Sequence, residues 1–64
     1  MDAILEVFNN VGDMYKRNET YNLLCELYKK RSAKYPEKKA SASIGGSVNG
    51  KTIAPFGKYY KRIR

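Results

Sequence analysis

The spacing of apolar residues divides the chain near residue 31. In "AILEVFNNV", Ile4, Val7, Phe8 and Val11 recur at i, i+3, i+4 and i+7, the stripe of an amphipathic helix. Asp2 stands where a helix N-terminus favours a negative charge. Gly12-Asp13 interrupts the stripe: Gly12 suits the position after a helix end, and Asp13 suits the cap of the next helix. From Met14 to Arg31 the helical period strengthens. Met14, Tyr21, Leu24 and Tyr28 form one row, and Leu23 and Leu27 widen it. Lys29, Lys30 and Arg31 close this segment, as the helix dipole favours, while Asn18-Glu19 offers a second start. The pattern predicts two short helices forming an αα-hairpin, or one helix kinked at Gly12-Asp13.

After Arg31 the pattern dissolves. Pro36 biases Tyr35 away from helix and marks the boundary. "EKKASASIGGSVNG" has few large apolar residues and reads as a linker or extended arm. It leaves room for one short β-hairpin turning at Asn49-Gly50, with "SASI" or "GGSV" paired to "KTIAPF". The expected fold is therefore small and mainly α. A helical docking segment, 1–31, precedes an extended, basic, Gly/Ser/Lys-rich arm, 32–64, with an aromatic-basic C-terminus.

Charge sharpens this division. The net charge of +7 combines −3 over residues 1–28 with +10 over residues 29–64. Such asymmetry points to a basic arm for nucleic acid or an acidic protein surface. The single cysteine, Cys25, excludes an internal disulfide, and the absence of histidine removes the usual zinc ligand sets. No cofactor or metal is expected. No apolar run approaches the roughly 20 residues of a membrane span, and "MDAILEVFNNVGD" lacks the basic start of a signal peptide. The expected setting is intracellular (cytoplasm or nucleus) or a virion, without secretion or membrane.

One motif suggests an enzyme. "GGSVNGKT", residues 45–52, fits G-x-x-x-x-G-K-[ST], the phosphate-cradling loop of nucleotide hydrolases. That loop needs a buried strand before it and a helix after it, yet Pro55 and Gly57 fall where the helix should run. No room remains for further parallel strands. The match reads as an accident of composition. A smaller residue of the idea is a nest of Gly-rich backbone amides holding a polynucleotide phosphate beside Lys51. Glu19 and Glu26 have no His, Ser or Cys partner for acid–base work and read as a solvated face.

The last ten residues, "PFGKYYKRIR", interleave cations with aromatics. Lys58, Lys61, Arg62 and Arg64 suit phosphates, and Phe56, Tyr59 and Tyr60 offer stacking faces. Lys29, Lys30, Arg31, Lys34, Lys38, Lys39 and Lys51 extend the candidate nucleic-acid surface. Ile4, Phe8, Met14, Tyr21, Leu24, Leu27 and Tyr28 form the candidate protein-docking face. No zinc pattern, RNP aromatics in sheet context or GXXG clamp accompanies them, and no family resemblance emerges. The expected function is a non-enzymatic structural or accessory subunit of a ribonucleoprotein or virion. Its helical part would dock on protein or on a second copy, and its arm would contact RNA or DNA phosphates or thread between subunits. The alternative is a stand-alone binding protein or inhibitor of a nucleic-acid enzyme, of phage or plasmid type.

Overall fold

The computed structural model describes residues 3–64. The chain runs α1 (Ala3–Val7), β1 (Met14–Lys16), α2 (Arg17–Lys30), α3 (Pro36–Asn49), β2 (Ile53–Phe56) and β3 (Tyr59–Arg62). The strands form one antiparallel sheet in the order β1-β3-β2. The expected role of Asp2 at a helix start lies outside the described residues.

The N-terminal half departs from a simple helical hairpin. α1 is short, with Ala3 and Ile4 buried, and Phe8 follows it into the core. Gly12, at φ 99°, then turns the chain so that its amide donates to the Arg62 carbonyl, and the Arg62 amide returns a bond to Asp13. This lacing holds residues 14–16 against β3, where Met14 faces Lys61 and Lys16 faces Tyr59. Met14 therefore lies on a strand and not on the helical row that its spacing suggested. Tyr15, between them, meets Phe8 edge to face at 5.1 Å between ring centroids. α2 begins at Arg17, and the buried Thr20 hydroxyl donates to the Lys16 carbonyl, so the core buries no unsatisfied hydroxyl there.

Residues 36–49 are the main correction. They form α3, a helix of 14 residues, and not an extended arm. Pro36 starts this helix as well as marking the end of the preceding segment, because the first helical position needs no amide. Ala40, Ile44, Ser47 and Val48 recur at i, i+4, i+7 and i+8 and turn inward. The stripe is present but carried by small residues.

Both long helices end alike. Ser32 (φ 58°) and Lys51 (φ 59°) take the left-handed conformation after α2 and α3. In each case their amides and those of the next residues bond back to the last turn: Ser32 to Lys29 and Ala33 to Tyr28, Lys51 to Val48 and Thr52 to Ser47. Asn49-Gly50 is therefore a helix end and not a hairpin turn. The hairpin lies further on, between β2 and β3, and turns at Gly57-Lys58. Positive φ at Gly57 (59°) and not at Lys58 is the type II′ pattern, whose twist matches the strands it joins.

The core is one cluster of Ala3, Ile4, Phe8, Leu24, Cys25, Ala40 and Ile53. α2 and α3 pack on each other, α1 contacts both, and the sheet meets α2 and α3 through all three strands. No helix among the described residues is long and apolar enough to cross a membrane.

Candidate nucleic-acid interface

The outward face of α3 follows from its inward one. With about 100° of rotation per residue, Lys38, Ala42, Gly45 and Asn49 project opposite Ala40 and Ile44, and all four are exposed. Ser41 flanks them and is also exposed. This face holds one cation, no carboxylate and no large side chain; Glu37 is displaced to the side. Glycine in a helix interior costs about 1 kcal/mol relative to alanine, and α3 contains two, Gly45 and Gly46. A Cβ at either would meet nothing within 4 Å. No contact inside the chain accounts for these glycines.

The β2–β3 hairpin springs from the C-terminal end of α3. Its register places Met14, Lys16, Ala54, Phe56, Tyr59 and Lys61 on one face of the sheet. Phe56 is 51% exposed beside the turn, and Lys61 Nζ lies 5.7 Å from its ring centroid. Lys58, at the turn, is exposed. The opposite face carries Tyr15, Ile53, Tyr60 and Arg62 toward the helices, with Ile53 buried.

The expected basic residues divide into engaged and open groups. Arg62 donates to the carbonyls of Phe8 and Asn9 at 2.9 Å each and to Arg64 at 2.7 Å, so its guanidinium braces the end of α1. Arg64 donates to the Gly50 carbonyl, tying the C-terminus to the end of α3. Arg31 is ion-paired with Glu6, the only ion pair among the described residues. Tyr60 is half-buried, with the Arg17 guanidinium 5.3 Å from its ring centroid. Lys34 and Lys38 both lie over the exposed Tyr35 ring, at 5.9 and 5.4 Å. Lys29, Lys30, Lys39, Lys51 and Lys58 are exposed and open to a partner.

The expected docking face is largely consumed by the fold. Ile4, Phe8 and Leu24 are fully buried in the chain's own core and offer no surface to a partner. Tyr21, Leu27 and Tyr28 are half-buried against that core. Met14 is exposed, on the outer face of the sheet. Tyr21 receives a raised pKa, first from its hydrogen bond with Cys25, then from burial and the Cys25 and Glu37 charges.

The "GGSVNGKT" stretch inverts the order a phosphate loop requires: a helix precedes the turn and a strand comes after it. Its amides do not form a nest either. Those of Gly50, Lys51 and Thr52 donate to Gly46, Val48 and Ser47 carbonyls of α3. Hydropathy did not disclose the outer face of α3, with Ser41, Ala42, Gly45 and Asn49. The signal for it was the spacing of Ala40, Ile44, Ser47 and Val48 behind Pro36. Comparison with known proteins finds no matching family model, no matching curated protein and no matching solved structure.

Proposed function

We propose that this chain is a non-catalytic duplex-DNA-binding module, a helix-turn-helix of α2 and α3 with the β2–β3 hairpin as a wing. Two consecutive helices joined by a short turn are the arrangement in which a second helix enters the major groove. The observation that carries the reading is the outer face of α3. Lys38, Ala42, Gly45 and Asn49 are exposed; apart from Lys38, which lies over Tyr35, the face is stripped of bulk, and no contact within the chain accounts for Gly45. A helix approaching base edges closely needs such a face, and Asn49 has the amide that pairs with adenine. The open cations Lys39, Lys51 and Lys58 supply phosphate contacts on either side.

The B-form major groove admits a helix, whereas the deep, narrow major groove of duplex RNA does not, so DNA is the favoured partner. Residues 36–49 form a helix, which favours this reading over a threading arm. A second reading is favoured by the outer face of the sheet, where Met14, Phe56 and Tyr59 lie among Lys16 and Lys61. That mixture suits an acidic protein surface, as in an accessory factor or enzyme inhibitor.

The test is a salt titration of binding to duplex DNA, duplex RNA and single strands, with the wild type and Ala42→Glu. Wild-type affinity for DNA should fall steeply with salt, and Ala42→Glu should weaken it about 100-fold through repulsion from phosphate. Ala42 is exposed, so the melting temperature should hold. Binding to DNA that ignores Ala42→Glu would refute the placement of α3, and absent binding would leave the sheet face as the working surface.

A further inference from the structure

A shallow cleft runs along one flank of α3 between that helix, the end of α2 and the root of the hairpin, lined by Tyr28, Lys39, Ala42, Ser43, Gly46, Ser47 and Thr52. Four of these carry hydroxyls, one an ammonium, and none a carboxylate. The apolar groove between α1 and α2 differs in kind, since Glu6 and Glu26 stand on its rim.

The hydroxyls are organised. Tyr28 and Ser43 hydrogen-bond to each other across α2 and α3, fixing one wall. Ser47 is only 6% exposed, yet no buried polar side-chain atom in the described chain lacks a partner or an opening. Its remaining exposure is to the cleft, and no side-chain hydrogen bond holds its hydroxyl back. The Thr52 hydroxyl stands one residue beyond the left-handed Lys51, at the cleft's other end. Gly46 lowers the floor: a Cβ there would meet nothing within 4 Å, so its absence leaves open space for a ligand.

We infer that this cleft is a seat for a phosphate oxyanion, gripped by side-chain hydroxyls and Lys39 and not by backbone amides. Neutral donors around a single ammonium suit a tetrahedral anion bearing one charge, which is the state of a phosphodiester. The site rests on the DNA reading above. With α3 in the major groove, one strand's backbone runs along its flank, and this flank holds the cleft. Inorganic phosphate shares the chemistry and is the other source the test separates.

Two variants leave the fold intact by design. Ser47→Ala replaces a helical residue by the best helix former, and Thr52→Val keeps the branched shape. Duplex-DNA affinity of the full chain should fall about 5- to 10-fold in Ser47→Ala/Thr52→Val while the slope of log affinity against log salt stays unchanged, because no cation is lost. Lys39→Ala should lower affinity and reduce that slope by about 0.9. Wild-type affinity and slope in both would overturn the seat while leaving the DNA reading standing. If the wild type binds no duplex, amide NMR with inorganic phosphate decides. Saturable shifts at Ser43, Ser47 and Thr52, lost in the double variant, would assign the seat to a free phosphate ester. Flat titrations would end the proposal.

Discussion

α2 and α3 have the same length, 14 residues, and face each other across one core, yet they are built from opposite materials. α2 sends Tyr21, Leu24 and Tyr28 toward its partner and surrounds them with charge on the outside. α3 answers with Ala40, Ile44, Ser47 and Val48, and its outer face is smaller still. A helix that donates large side chains holds a fold together. A helix of small residues is held by others and keeps its outside free for close approach. On the proposed DNA-binding reading, the contrast gives stability to α2 and contact to α3, and each assignment can be broken separately.

The largest effect is expected on the holding side. Leu24 is fully buried in a core cluster drawn from both halves of the chain. Leu24→Ala should cost about 2–5 kcal/mol. A core of this size supplies only about 3–5 kcal/mol of net stability, so the variant should be largely unfolded in a urea titration followed by circular dichroism. Retention of a cooperative transition near the wild-type midpoint would show that the core does not depend on α2.

Gly45→Ala addresses the other helix. The added methyl meets nothing, so the helix should gain about 0.8–1 kcal/mol, a rise of about 4–8 °C in melting temperature for a domain of this size. If the outer face of α3 approaches DNA, the same methyl should weaken duplex binding several-fold. Stability and binding then move in opposite directions. A variant that is both more stable and equally tight in binding would show that Gly45 serves no contact.

The same contrast explains what the sequence disclosed. α2 announced itself because its stripe is made of Tyr and Leu, which stand out from their neighbours at helical spacing. α3 has as regular a stripe, but Ala40 and Ser47 are too small and too polar to register as core. They are buried by the elements packed against α3, a tertiary fact that local hydropathy does not carry. Pro36 was ambiguous for a related reason: the same proline closes the segment before it and opens the helix after it. β1 was hidden because Met14 and Lys16 sit on the open face of the sheet and only Tyr15 packs inward. Three residues with one inward side chain make no period. The hairpin lost its turn to a stronger competitor, since Asn49-Gly50 is the strongest short hairpin signal while Gly57-Lys58 fits only the looser Gly-x pattern of a type II′ turn. Of the candidate site, the cations were legible as a class. Their division into bracing groups such as Arg62 and open ones such as Lys58 depends on where carbonyls end up after folding.

The smallest effect sharpens the contrast at the boundary between the two helices. Tyr21 is on α2, and its phenol is held neutral chiefly by its hydrogen bond with Cys25, with burial next and the Cys25 and Glu37 charges after. Its folded pKa therefore lies above the ordinary 10.0. Because the folded state retains the proton longer, the contribution to stability is complete below pH 10.0 and is lost as pH rises through the folded value. Cys25→Ala should remove the largest cause and bring the Tyr21 titration down toward 10.0. Glu37→Gln, on α3, should bring it down less. Ring-carbon NMR resolves this tyrosine from the other five. A larger response to Glu37→Gln than to Cys25→Ala would mean that α3, and not α2 itself, sets the environment of the helix that holds it.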